Sequence, residues 1–346
     1  MFTTIAELFD IDLPIIQAPM AGSQGSALAI AVSNAGGLGS QPCAMLAPDQ
    51  IQKELAAITA ATSKPYNVNV FVHQPPTPDE ARQQAWRQVL APYFEEHGID
   101  ASSIVAGPQR LPFSDDTADV LEAFKPPVVS FHFGLPSAAL MKRVKAWGSK
   151  ILSSATTVDE ARYLEAHGVD AVIAQGYEAG GHRGMFLTSD LATQVGTLAL
   201  VPQVVRAVRI PVIAAGAIAD ARGVAAATAL GAAGVQVGTA YLFCPEATTN
   251  PLHRAALNSD AAKTTVVTNL LTGRPARGMI NRVMREIGPV NAAAPEFPLA
   301  ATAIFALCQK AEAKGLSDFT TMWAGQNAAL CREMPAAELT DSLMPR

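Results

Sequence analysis

Between Ile15 and Tyr241 the chain alternates eight times between a short apolar run and a longer amphipathic one. Strand-like runs fall at Ile15–Met20, Gly37–Gln41, Tyr66–Val72, Val128–Gly134, Lys150–Ala155, Ala171–Gly176, Pro211–Gly216 and Gly234–Tyr241. The intervening helical patterns lie at Ser26–Ala35, Pro48–Ala61, Ser137–Trp147, Val158–His167, Leu191–Val208 and Ala221–Leu230. A polar stretch with helical character, Pro75–Pro112, interrupts the series. Strands that read apolar throughout are covered on both faces, as in a parallel sheet built of βα units. Closure after eight units points to an α/β fold of the (β/α)8 TIM-barrel type, with an open doubly wound sheet as the alternative. The barrel is expected over residues 1–244. Past it, 245–300 reads as an inserted, mostly helical substrate lobe. The C-terminal helices, 301–346, are expected to pack back on the barrel.

The composition excludes several function classes. Apolar residues make up 49% of the 346 and charged residues 16%, which suits a large buried core and not a disordered chain. A net charge of −5 without a basic stripe gives no pull toward nucleic acid. Cys43, Cys244, Cys308 and Cys331 are scattered, with no CxxC pair. The histidines do not fall with carboxylates at ligand spacing, so no metal site is expected. The N-terminal segment carries Glu7, Asp10 and Asp12 and does not read as a signal peptide. The most apolar stretch, Gly196 to Ala219, is broken by Arg206, Arg209 and two prolines, so no membrane span is expected. A cytoplasmic location follows as the expectation.

In a barrel, chemistry sits just past the C-terminal ends of the strands. Gly216 and Gly238-Thr239 end the seventh and eighth runs, where barrels commonly bind phosphate on backbone N–H groups. Asn69 and Gln175 offer amides that both donate and accept, which the edge of an isoalloxazine ring needs. Pro19 and Met20 offer flat or soft apolar contact for a ring face. His182 follows Gly180-Gly181 at another strand end. Its ordinary pKa near 6.5 suits removing a proton from an acidic C–H. His132 belongs to the same face, whereas His73, His97, His167 and His253 read as loop or helix-surface residues.

The strings Gln17-Ala18-Pro19-Met20-Ala21-Gly22, Ser33-Asn34-Ala35-Gly36-Gly37-Leu38-Gly39, Phe131-His132-Phe133-Gly134 and Gln175 to Gly184 resemble those of the nitronate monooxygenases, the class I bacterial type above all. Gln236 to Tyr241, Thr272 to Gly278 and Trp323-Ala324-Gly325-Gln326 add to the resemblance, in order along nearly the whole chain. The resemblance implies a barrel holding FMN, and oxidation of an alkyl nitronate, typically propionate 3-nitronate, by O2. The products would be an oxo acid with nitrite or nitrate, and no NAD(P)H would be needed. It places the catalytic histidine at His182. It places cofactor contacts at Met20, Ala21, Gly22, Asn69, Gln175, Gly180, Gly181, Gly216, Ala217, Gln236, Val237, Gly238 and Thr239. His132, Phe133, Trp323 and Gln326 would lie around the substrate. One departure stands out: the family often has two glycines where this chain has Gly216-Ala217.

Three other readings remain open at this level. A flavin reductase on the same barrel, acting on quinones or enoyl thioesters with NAD(P)H, shares the AGGH-like loop. An IMP-dehydrogenase-like enzyme would need a reactive cysteine in its active-site loop. A non-catalytic flavin-binding protein would not need His182. The expected partners are a small anionic nitronate and O2, with no nucleic acid or membrane, in a monomer or homodimer.

Overall fold

The computed structural model describes residues 4–104 and 110–345. In chain order its strands are β1 (Ile15–Gln17), β2 (Gly39–Pro42), β3 (Tyr66–Phe71), β4 (Val128–His132), β5 (Lys150–Ala155), β6 (Ala171–Gln175), β7 (Gly181–His182), β8 (Val212–Ala215), β9 (Gly234–Val237), β10 (Thr265–Thr268) and β11 (Ala276–Met279). The helices are α1 (Ile5–Phe9), α2 (Ser26–Asn34), α3 (Pro48–Ala61), α4 (Glu80–His97), α5 (Asp115–Phe124), α6 (Ala138–Ala146), α7 (Val158–Ala166), α8 (Thr197–Ala207), α9 (Ala221–Ala229), α10 (Pro251–Leu257), α11 (Arg282–Ile287), α12 (Ala300–Glu312) and α13 (Ala336–Ser342).

Eight parallel strands form one sheet in the order β1-β9-β8-β6-β5-β4-β3-β2. A parallel bridge between Ile16 and Leu38 joins its two edges, with Gln17 N donating to Leu38 O at 3.0 Å. The fold is a TIM barrel, and its strands are those the apolar runs mark out. Alternation along each strand separates two cores. Ile151, Val172 and Ala214 join the helices outside, while Leu152, Ile173 and Ile213 fill the interior. Ile5 and Phe9 of α1 belong to that interior cluster. Toward the C-terminal ends the buried residues turn polar. Gln17 Nε2 donates to Gln24 Oε1 at 2.7 Å, Ser40 N donates to Gln17 Oε1 at 2.9 Å, and Asn67 Nδ2 donates to Ser40 Oγ at 2.9 Å. These bonds offset the cost of taking the groups out of water, while Gln41 Oε1, Asn67 Oδ1 and Gln236 Oε1 stay unpartnered among the described residues.

A second core lies apart from the barrel. The polar interruption at Pro75–Pro112 contains α4, an 18-residue helix capped by the Asp79 side chain on Arg82 N and ended by Gly98 in the left-handed region. It buries Trp86, Leu90, Tyr93 and Phe94 against Leu270, Leu271, Val283, Ile304, Leu307 and Phe319. Each such side chain contributes roughly 1.5–3 kcal/mol on burial.

The structure corrects two expectations here. Residues 245–300 are not mostly helical, because β10 and β11 pair antiparallel within them and β11 extends to β7. Helix α12 does not pack on the barrel wall; its buried face joins the α4 cluster, and Trp86 Nε1 donates to Ala300 O at 3.4 Å. Helix α13 does reach the barrel, placing Ala336, Leu339 and Leu343 in the outer core. Amphipathicity marks a buried face without saying which surface covers it, so the pattern of α12 leaves its partner open. Among the described residues no helix is long and apolar enough to cross a membrane.

Candidate active site

One cavity opens at the C-terminal end of the barrel. Met20, Ala21, Asn69, Gln175, Gly180, Gly181, Gly216, Ala217, Gln236, Gly238, Thr239, His132, His182 and Trp323 all line it. Residues from eight separate stretches therefore converge, as the strand-end argument requires. Four expected residues stand outside the lining. Gly22 sits in a turn with φ of +82°, and Val237 is buried in β9. Phe133 lies behind the surface, with its ring centroid 5.9 Å from that of His182. Gln326 is exposed and uses its N–H on Glu178 O at 3.0 Å.

His182 is not on a free loop. Gly181 and His182 form the short strand β7, paired to Arg277 and Ala276 of β11. The His182 carbonyl accepts from Gln175 Nε2 at 2.9 Å, and His132 Nε2 lies 3.2 Å from it. Its own ring Nε2 sits 2.9 Å from Thr272 Oγ1. Burial first, then the positive field of Arg110, holds the His182 pKa well below 6.5. The ring is therefore neutral at pH 7. His132 is held down to about 3, mainly by burial, and its Nδ1 lies 3.1 Å from Ser154 Oγ.

Gln175 lines the cavity with its amide engaged at both ends. Its Oε1 accepts from Gly184 N at 2.8 Å while its Nε2 serves His182 O, so it ties both ends of the histidine segment. Gly180 is where two backbones meet: a Cβ there would stand 2.6 Å from Ala324 C and Gly325 N. On the opposite side of that segment, Gly325 N donates to Thr239 Oγ1 at 3.0 Å and Asn327 Nδ2 donates to Ala217 O at 2.8 Å. The 323–327 segment therefore straps the strand that carries His182 to the loops after β8 and β9.

The loop after β8 carries backbone strain. Gly216 has φ of +120° and Ala217 has φ of +57°, the latter a left-handed conformation that costs a residue with a Cβ. The N–H groups of Ala217 and Ile218 have no partner in the described residues. They precede the nine-residue α9, capped by Asp220. Successive unpartnered N–H groups in such a turn suit an anion.

Several cavity residues were not singled out from the sequence: Phe71, Arg110, Ser130, Leu242, Asn327 and Cys331. Neither Thr272 nor Phe297, whose ring centroid is 5.3 Å from that of His182, stands out in the sequence as a site residue. Arg110 and Phe297 come from segments remote from any strand end, so position along the βα repeat carried no signal for them. The histidines read as superficial also differ: His73, His97 and His253 are buried. His73 packs its ring 4.8 Å from Phe297, and burial holds its pKa down to about 4. Cys331 is held up to about 12 by burial and is no thiolate.

The family match covers residues 3–346 and is to nitronate monooxygenase. The chain belongs to the nitronate monooxygenase family. A nitronate monooxygenase from Paraburkholderia phytofirmans is 45% identical over 97% of this chain and 92% of its own. One from Pseudomonas aeruginosa is 43% identical over 99% of both. Among solved structures, nitroalkane oxidase from Streptomyces ansochromogenes superposes with a TM-score of 0.89 at 37% identity, covering 99% of this chain and 96% of that one. FabK from Thermotoga maritima gives a TM-score of 0.75 at 31% identity, covering 99% and 95%. As a member of the nitronate monooxygenase family, the chain is an oxidoreductase on a TIM barrel.

Proposed function

We propose that this chain oxidises alkyl nitronates with O2 on non-covalent FMN, without reduced nicotinamide. The observation that carries the proposal is the buried imidazole of His182, lining a cavity whose other end presents unpartnered backbone N–H groups. The residues present suit the cofactor. The cradle at Ala217 and Ile218 suits a phosphate. Gln236 Oε1 is buried without a partner in the described residues, and Asn69 spends only its Nδ2, on Ser130. Both amides keep an oxygen for a ring N–H. Bound there, the flavin would accept electrons from the nitronate and pass them to O2.

The chain's own contribution is position, dryness and a proton acceptor. Thr272 Oγ1 also lies 3.4 Å from Arg274 O. Donating to that carbonyl, the hydroxyl accepts the Nε2 proton of His182 and leaves the Nδ1 lone pair for substrate. A nitroalkane would lose its acidic C–H proton to Nδ1, while a preformed nitronate needs no such step. Phe71, Phe133 and Phe297 form a cluster at this end that limits water. His132 and Gln175, through the His182 carbonyl, fix the backbone beneath the ring. The substrate is a small anion, and the cytoplasm is the compartment we assign.

The test is direct. Purified protein should show an oxidised flavin spectrum, release FMN on denaturation, and take up O2 when propionate 3-nitronate is added without nicotinamide. Rapid anaerobic bleaching by NADH, with none by the nitronate, would instead establish a reductase.

A further inference from the structure

The cavity is lined by a single charged side chain among the described residues, that of Arg110. Its guanidinium carbon stands 5.8 Å from the Phe297 ring centroid, and the same ring lies 5.3 Å from the His182 imidazole. Phe297 thus has the cation and the candidate base as neighbours. No ion pair among the described residues involves Arg110. The contrast with nearby arginines is informative. Arg274 stacks on Phe133 at 4.0 Å and donates to Met185 O. Arg183 donates to the carbonyls of Gly176 and Gln175, and Arg277 to those of Tyr177 and Thr265. Those three are structural. A guanidinium facing a cavity without a counter-charge is costly unless a ligand brings the anion.

We infer that Arg110 is the specificity residue of this site: its guanidinium binds the carboxylate at the far end of a nitronate substrate, and without it a carboxylate-bearing nitronate loses its advantage over a simple alkyl nitronate. The inference rests on the proposed nitronate chemistry and names its specificity residue. Two anionic ends match two features of the cavity. The nitronate lies by the neutral His182, and the carboxylate forms a charge-assisted, two-pronged contact with the guanidinium. The phosphate cradle after β8 is a separate feature, built from backbone and without an arginine. A hydrogen bond to a charged group contributes about 1.5–3 kcal/mol, which corresponds to roughly a tenfold to hundredfold preference.

The experiment compares wild type, Arg110→Gln and Arg110→Lys in two assays. In the first, kcat/KM is measured for propionate 3-nitronate and for propyl 1-nitronate. The ratio of the two should fall at least about tenfold in Arg110→Gln and recover in part in Arg110→Lys, which keeps the charge. In the second, calorimetry follows succinate, a non-reacting dianion of similar span, binding to the FMN-loaded protein. Its affinity should fall by a like factor in Arg110→Gln. An unchanged ratio with unchanged succinate binding overturns the inference. So does a loss confined to bound FMN, which would assign Arg110 to the cofactor. If wild type oxidises neither nitronate, the proposed function fails, while the succinate titration still decides whether Arg110 receives a carboxylate.

Discussion

The two ends of the cavity are built on different principles. At one end, the loops after β8 and β9 present backbone N–H groups, with Gly216, Ala217, Gly238 and Thr239 each adjacent to the strand that positions it. At the other, His182, Thr272, Phe297, Trp323 and Arg110 come from five stretches far apart in the chain and meet through ring contacts and β-pairing. The first end tolerates side-chain change so long as the backbone keeps its path. The second depends on particular side chains. The comparison teaches where substitution should abolish chemistry and where it should only loosen a ligand.

The largest effect is expected at the imidazole. His182→Ala should lower kcat/KM on a nitroalkane by about 10²–10⁴, the usual reach of a general base. The loss on a preformed nitronate should be much smaller. Steady-state oxygen uptake with both substrates checks this, and equal losses would mean that His182 holds the anion and removes no proton. Next comes the strap between the two ends. Gly180→Val puts side-chain atoms where the Ala324–Gly325 backbone lies, and overpacking of that kind costs about 1–3 kcal/mol. A lowered Tm together with reduced FMN content is expected. A drop in Tm with full FMN retention would show that the ends are held independently.

Thr272→Val should cost about fivefold in kcat/KM, the worth of one hydrogen bond near 1 kcal/mol. The loss should appear with nitroalkanes, and a loss seen only with nitronates would reverse the tautomer assigned to His182. The pH profile sharpens the same point. Burial and the Arg110 charge lower the His182 pKa, so the neutral ring persists below pH 6.5. Nitroalkane turnover should therefore stay level from neutral pH down past 6.5 and fall only in more acid solution. An acid limb at 6.5 or above would place the ring in water.

The smallest effect belongs to the backbone end. Ala217→Gly relieves a left-handed residue worth about 1–3 kcal/mol of strain, offset by about 0.4–1 kcal/mol of added freedom in the unfolded chain. A small rise in Tm with unaltered substrate preference is expected by thermal melting. A fall would mean that the methyl group itself packs usefully against the cofactor site.

The barrel, its eight strands and most of the backbone-built end are legible in the residue pattern alone. These follow from local pattern: apolar runs of strand length, amphipathic runs of helix length, and glycines at strand ends, all readable from neighbours in the chain. It also marked out His182 by its place after Gly180-Gly181. Folding in three dimensions was needed to bring α4 out of the polar interruption into a second core with α12, to tie down the histidine strand through Gln175, and to gather Arg110, Phe297 and His182 at one end of the cavity. Those outcomes depend on which distant surfaces cover one another, a property of packing between segments that no single stretch of sequence encodes.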